Sequence, residues 1–473
     1  MVLTVDRVLP RIIQGGMGAG VSDWRLARAV AVTGQLGVVS GTMLDTILVR
    51  RLQDGDPGGF MRRAIERFPL PEIGADVLRR YFREEGRPPG EPYRLLPMYR
   101  RAADAFRERV TMLANFVEVY LAKEGHPGVV GINLLTKVQL PNLASLYGAM
   151  LAGVDYVMMG AGIPREIPGA LDAFVRHDAA SMKLDHAGVP PAVPEVATFD
   201  PRAHGADAAG ELRRPHFLPI VSSHTLAASL AKKSSGRVDG FIVETSGAGG
   251  HSAPPRGVTQ LDAGGEPVYG ERDRPDLARF RELGVPFWLA GGTGTRAGLR
   301  DALASGAAGI QVGTLFAYCD ESGLADGIKR RVLQGMVRDA VVVRNDPRVS
   351  PTGLPFKIVQ MEDGGFQPED RARVCDLGYL RLAVRDEEGR FVYRCAAEPV
   401  EAYARKGGAV DETEGRRCLC NALLANIGLG QARPGGIDEQ PLLTSGTCLE
   451  TIPDLLAGRE SFSAADVVDY LSG

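Results

Sequence analysis

Short apolar runs rich in β-branched residues recur along the chain, each ending in glycine or another small residue and each followed by a stretch of helical periodicity. Eight runs stand out: Arg11–Gln14, Leu36–Ser40, Gly128–Leu135, Val154–Gly160, His216–Ser223, Val238–Glu244, Val285–Ala290 and Ala308–Gly313. Runs this short and this apolar are the pattern of strands buried on both faces. The segments LASLYGAMLAG, TLAASLAKKS and TRAGLRDALASG, after the third, fifth and seventh runs, read as helices. Ser22 is expected to cap a first helix through WRLARAVAVTG, with Asp23 favourable in its first turn. Strands alternating with helices predict a parallel sheet covered by helices, and eight units predict closure. The predicted fold class is therefore α/β, a (β/α)8 TIM barrel, ahead of an open doubly wound sheet.

Three regions depart from a minimal barrel. Residues 54–125 are charged and helix-prone, with RPPGEP as punctuation, and predict a helical insertion after the second strand. Residues 185–215 are rich in Pro, Ala, Gly and Asp and read as a loop excursion. Residues 345–473 form a C-terminal extension of mixed pattern. It holds LRLAVRDEEGRFVYRCA, which reads as a hairpin, and helical segments around RRCLCNALLANIG and AADVVDYL. The barrel itself is assigned to 1–53 and 126–344.

Composition narrows the class. A net charge of -3 over 473 residues gives no field for nucleic acid or an anionic membrane. No apolar stretch reaches the roughly 18 residues of a membrane span, and the N-terminal segment lacks the apolar core of a signal peptide. Six cysteines in so long a chain do not make a disulfide framework, so a reduced, cytoplasmic setting is expected. Cys418-Leu419-Cys420, with Cys375, Cys395 and Cys448, raises the question of a metal or iron–sulfur site. The spacing is not that of paired CxxC motifs, so no metal is expected and Cys319 reads as core.

Candidate chemistry sits at the strand ends. The seventh run ends in Ala290-Gly291-Gly292-Thr293-Gly294 and the eighth in Gly313-Thr314. Two adjacent glycine turns can aim backbone N–H groups at one phosphate, although either alone reads more readily as a plain tight turn. Past the sixth run stands Gly247-Ala248-Gly249-Gly250-His251, a small-residue surface for a flat ligand followed by an imidazole suited to proton transfer. His126, His177, His186, His204, His216 and His224 lack such a setting and read as surface residues. The first turn, Gln14-Gly15-Gly16-Met17-Gly18, can bring backbone amides to a planar ring. It is not a dinucleotide fingerprint, because the second run ends in VVSGT with no acidic residue. Asn133, Ser222 and Glu244 also lie at strand ends. Asn133 serves equally as a rim hydrogen-bonding group or a buried structural amide.

As a set, IIQGGMG, INLLTK, GAGGH, LAGGTGTRAGLRDALASGA and IQVGTLFAYCDES resemble the nitronate monooxygenases, formerly 2-nitropropane dioxygenases, which are related to FMN-dependent enoyl-acyl-carrier-protein reductases. The resemblance covers roughly residues 8–45 and 125–325. It implies a barrel holding FMN. Met17 and Gly18 would contact the ring with Gln14 nearby, Asn133 would hydrogen-bond it, Gly249 would approach it, and Gly291, Gly292, Gly313 and Thr314 would cradle the phosphate; Gly16, Ser222, Glu244, Gly250 and Ala290 complete the expected cofactor-binding set. His251 falls on the family's active-site histidine. Three features depart from the family. Gly247 stands where an acidic residue is common, Ser222-Ser223 where some members carry lysine, and the insertion and extension are longer.

The reading is an FMN-dependent oxidoreductase that turns nitronates or nitroalkanes and O2 into carbonyl compound and nitrite, with His251 as the catalytic group. An NAD(P)H-dependent reductase of a quinone or enoyl thioester on the same barrel is the first alternative. A non-catalytic barrel binding a phosphorylated ligand is the second. A small-molecule substrate with O2 or NAD(P)H is the expected partner set, and the extension offers a surface for a homo-oligomer.

Overall fold

The computed structural model describes residues 9–100, 104–186, 194–206, 210–362, 364, 372–385 and 390–473. Each of the eight apolar runs contains a strand: β1 Ile12–Gln14, β2 Gly37–Ser40, β3 Val130–Leu135, β4 Tyr156–Gly160, β5 His216–Val221, β6 Phe241–Glu244, β7 Phe287–Ala290 and β8 Gly309–Val312. They form one parallel sheet in the order β1-β8-β7-β6-β5-β4-β3-β2. Leu36, just before β2, closes the ring. Its N–H donates to Ile12 O at 3.2 Å, and Gln14 N donates to Leu36 O at 2.9 Å. The fold is a TIM barrel.

The strand period of two sorts side chains between the barrel interior and the helix layer. Ile13, Val38, Tyr156, Met158, Leu218, Ile242 and Trp288 form one buried cluster inside the barrel. Trp288 is fully buried, and its indole N–H donates to Pro10 O at 2.7 Å. The interior is thus a packed core, and any ligand must bind at a rim.

The helix Trp24–Val32 is capped by Asp23, whose carboxylate accepts from Arg25 N and Leu26 N. The expected cap, Ser22, does other work: its Oγ accepts from Met17 N at 2.9 Å and braces the turn after β1. Residues 54–125 include helices Phe60–Ile65, Pro71–Tyr81 and Ala105–Lys123. The last packs against both Trp24–Val32 and Asn142–Leu151, so it fills the place in the helix ring between β2 and β3.

Reading 185–215 as plain loop needs correction, although 187–193 and 207–209 lie outside the described residues. Val196–Phe199 pairs antiparallel with Ala180–Lys183, and a 3-10 turn follows at Pro201–His204. Two histidines expected at the surface are buried. His177 Nδ1 lies 2.6 Å from the Tyr147 hydroxyl, and His204 Nε2 lies 2.9 Å from Glu108.

After the barrel, Val341–Asp346 pairs antiparallel with Phe356–Met361. The predicted hairpin is Leu382–Arg385 with Phe391–Arg394, its turn at 386–389 lying outside the described residues. Helices follow at Leu419–Ala425 and Ala464–Ser472. The extension returns to the barrel. Val359 N donates to Leu443 O at 2.9 Å, and Ala464–Ser472 packs on the helices Trp24–Val32 and Arg296–Ala304. Among the described residues no helix is long and apolar enough to cross a membrane.

Candidate active site

The C-terminal ends of the strands open into one cavity of about 410 Å³. That volume suits a cofactor with a small substrate. Gly16, Met17 and Gly18 reach it from the turn after β1, Asn133 from β3, Ser222 from the end of β5, and Glu244, Gly249, Gly250 and His251 from the end of β6 and its loop. Ala290, Gly291 and Gly292 reach it from β7 and its turn, and Gly313 and Thr314 from the turn after β8. Of the residues singled out in the sequence, Gln14 alone is not on the wall. It is fully buried, its Oε1 accepts from Val38 N at 2.8 Å and its Nε2 donates to Ser22 Oγ at 2.8 Å. Gln14 therefore holds the first turn in shape from behind.

The β7 turn needs its glycines. Gly291 and Gly292 have φ of 87° and 76°, the left-handed region that a side chain disfavours. The β6 loop lies against this turn, and a Cβ on Gly247 would sit 3.0 Å from Gly292 N. A side chain here, such as the acidic residue common at this position in the resembled family, would therefore have to displace its neighbours. Gly313 leads into the turn of helix Thr314–Ala317 without a side-chain cap. Met17 packs there, with its sulfur 3.3 Å from where a Cβ on Gly313 would lie.

Polar atoms on the wall are left unspent. Asn133 donates weakly to Gly16 O at 3.4 Å, while its Oδ1 is buried without a hydrogen-bond partner. Gln311, on β8, lines the same cavity and its Oε1 is likewise buried and unpartnered. Buried polar atoms are normally paired, so both are open to a ligand's donors. Gln311 was not singled out in the sequence. Its signal is alternation along β8, which turns it inward with the residues of the barrel core.

His251 is held by two groups that sequence reasoning missed. Its Nε2 lies 2.7 Å from Ser350 Oγ, and its ring meets Phe356 edge-on at 4.8 Å. Burial lowers its pKa to about 4, so the imidazole is neutral at pH 7. Desolvation raises Glu244 to about 7, opposed by the charge of Lys357. Lys357 is buried, lowered to about 8 chiefly by desolvation, and its ammonium donates to Ser246 O. Ser350, Phe356 and Lys357 all follow the barrel in sequence, where no strand-end pattern marks them.

The chain beyond the barrel roofs the cavity with Leu354, Phe356, Leu380, Leu419, Leu423 and Leu443. Cys375, Cys395, Cys418 and Cys420 gather around a separate small void, and no described cysteine is in a disulfide. Among the described residues, no group of three or more His, Cys, Asp or Glu side chains is arranged to hold a metal ion. Cys319 is fully buried in the core.

A parallel eight-stranded barrel with a deep cavity at the C-terminal ends of its strands, floored by glycine turns, has the architecture of a barrel enzyme. Residues 194–351, about a third of the chain, match the nitronate monooxygenase family. A nitronate monooxygenase of Paraburkholderia phytofirmans is 31% identical over 140 residues, covering 30% of this chain and 36% of the relative. The (3aS,4S,5R,7aS)-5-hydroxy-7a-methyl-1-oxo-octahydro-1H-indene-4-carboxyl-CoA dehydrogenase of Mycobacterium tuberculosis is 30% identical over 144 residues, with coverages of 30% and 36%. The chain thus aligns with little more than a third of the length of these curated relatives. The solved nitroalkane oxidase of Streptomyces ansochromogenes is similar at 16% identity and a TM-score of 0.45, over 98% of this chain and 94% of that one.

Proposed function

We propose that the protein is an FMN-dependent oxidoreductase of the nitronate monooxygenase type. The observation that carries this reading is convergence. Four glycine turns, after β1, β6, β7 and β8, meet on one cavity with two buried acceptors, Asn133 Oδ1 and Gln311 Oε1, that lack partners. A flavin fits that set. Its ring N–H matches an orphaned acceptor, and its phosphate matches the amides of the β7 and β8 turns. Gly16, Met17, Gly18, Asn133, Gln311 and Gly249 would hold the ring; Gly291, Gly292, Gly313 and Thr314 would hold the phosphate. When bound, the flavin supplies the electron acceptor for the substrate carbon and the route to oxygen.

His251 then binds and orients substrate. An imidazole with a pKa near 4 is a weak base, which favours an anionic nitronate over a neutral nitroalkane that must first lose a proton. In the tautomer in which the Ser350 hydroxyl donates to Nε2, the ring keeps Nδ1–H as a donor for a nitronate oxygen. The roof of leucines and Phe356 excludes water from this contact and strengthens it.

The same roof favours a second reading. A wall this apolar suits a substrate larger than a small nitronate, as in an NAD(P)H-dependent reductase of a quinone or enoyl thioester. The visible spectrum and two mixing experiments test both. The purified protein should be yellow. Anaerobic bleaching by a nitronate, with nitrite formed in air, supports the monooxygenase. Fast bleaching by NADH or NADPH, with no response to nitronates, supports the reductase. A colourless protein that refuses FMN overturns both and leaves a phosphorylated-ligand barrel.

A further inference from the structure

The segment Thr444–Cys448 of the extension crosses the rim where the turns after β6, β7 and β8 meet. Five hydrogen bonds fasten it there, one of them from Thr447 Oγ1 to Gly247 O at 3.4 Å. Gly250 N donates to Thr444 Oγ1 at 2.8 Å and Thr447 N to Gly247 O at 3.0 Å. Gly446 N donates to Thr314 Oγ1 at 2.9 Å and Gly294 N to Cys448 Sγ at 3.3 Å. The backbones are in direct contact. A Cβ on Gly249 would lie 2.8 Å from Gly446 N, and a Cβ on Gly446 would lie 2.8 Å from Gly247 O and 2.9 Å from Thr314 Oγ1. Any side chain at 249 or 446 would push the strap off the barrel.

Within the strap, Ser445 is 4% exposed and lines the cavity beside the two phosphate turns. Its Oγ is buried without a closed hydrogen bond. The Tyr318 hydroxyl that faces it is left in the same condition. A buried hydroxyl without a full set of partners is unfavourable, and an anionic oxygen in the cavity would accept its proton. Its neighbours Thr444, Gly446 and Thr447 are hydrogen-bonded to barrel loops, whereas the Ser445 hydroxyl faces only Tyr318 and the cavity.

We propose that Thr444–Cys448 is a built wall of the cofactor site and that Ser445 Oγ–H donates to the cofactor's phosphomonoester, which is thereby clasped between barrel turns and extension. The proposal rests on the flavin reading. It assigns the extension a binding role. The barrel turns alone form an incomplete cradle, and a chain whose extension is displaced loses its phosphate-bearing ligand.

The test is titration of cofactor-free protein with FMN and with riboflavin, which lacks the phosphate, followed by flavin fluorescence. The wild type should bind FMN more tightly than riboflavin. Ser445→Ala should weaken FMN by about tenfold or more and leave riboflavin within about twofold, so the preference for the phosphate collapses. Ser445→Thr, which keeps the hydroxyl, should restore most of it and controls for folding. Equal FMN affinity in Ser445→Ala and wild type overturns the role of Ser445, as does a loss that is the same for both ligands. A wild type that binds neither flavin overturns the flavin reading itself, and a wild type that binds both equally overturns the phosphate clasp.

Discussion

His251 Nε2 and Ser350 Oγ lie 2.7 Å apart, joining the loop after β6 to a residue that follows the barrel by sequence. Ser350 is fully buried and lies 2.8 Å from Thr352 Oγ1, so its position is fixed from behind. A hydrogen bond of this kind sets which imidazole nitrogen carries the proton. His251→Ala should keep flavin bound and lower turnover by about 10- to 100-fold, the value of one strong hydrogen bond to a charged substrate. Ser350→Ala should lower kcat by less, about tenfold, with KM nearly unchanged, because it acts on ring orientation. Ser350→Thr should recover most of that loss. Unchanged kcat in His251→Ala on the preferred substrate removes the histidine from the reaction.

The wall carboxylate gives a pH signature. Glu244 is raised from 4.5 to about 7 by desolvation, so the folded protein holds a proton there that the unfolded chain has released. Between pH 4.5 and 7 the native state binds more protons, and the contribution of Glu244 to stability falls as pH rises. The slope is at most about 1.4 kcal/mol per pH unit. Glu244→Gln cannot lose a proton. Its unfolding free energy relative to wild type should therefore climb across that window, measured by urea unfolding at several pH values. Parallel pH profiles for the two proteins would mean that Glu244 is ionised well below neutrality.

The barrel was legible because its signal is local. A buried strand needs only a few apolar residues and a small terminus, and β1 to β8 each carry both. The glycine turns after β6, β7 and β8 were legible for the same reason, since backbone approach excludes a side chain. Gln14 was misplaced because position at a strand end does not say which way a side chain points. It points at Val38 N, behind the turn. Ser350, Lys357 and Ser445 were illegible for a different reason. Each reaches the rim through contacts more than 90 residues distant in sequence, and no period or motif encodes such a return. Helix Ala105–Lys123 shows the same limit: charged surroundings marked it as insertion, while its packing places it in the ring.

Beneath the cavity, a buried ion pair ties the extension to the barrel side. Arg107 Nη2 lies 3.1 Å from Asp45 Oδ2, with both side chains 2% exposed. The Tyr379 hydroxyl accepts from Arg107 at 2.9 Å and donates to Asp45. Three segments thus share one polar knot: helix Leu44–Gln53, helix Ala105–Lys123 and the extension. Removing one charge strands the other, at a cost of about 3–5 kcal/mol. Arg107→Met should lower unfolding stability by that amount. Tyr379→Phe should lose about 1–3 kcal/mol while keeping the ring that lines the cavity, so FMN affinity should be nearly unchanged. A stable Arg107→Met variant would show that the pair is relaxed in solution.

Gly247 carries the sharpest departure from the resembled family, and the structure gives its cause. A Cβ there would meet Gly292 N and Thr447 Oγ1, both at 3.0 Å, and Gly291 C at 3.1 Å. Two of these contacts are backbone of the β7 turn, which has no slack, because Gly291 and Gly292 already occupy left-handed conformations. The third belongs to the strap, which can move. Gly247→Ala should therefore cost about 1–3 kcal/mol of stability by overpacking and shift the strap outward, with flavin retained poorly through desalting. Gly247→Glu, which places the acidic residue common in the resembled family, should be worse on both counts, because on the flavin reading a carboxylate would also face the turn proposed to hold the phosphate. Full flavin content and wild-type stability in Gly247→Glu would mean that the β6 and β7 loops have room to separate, and that the glycine is not the condition for this roof.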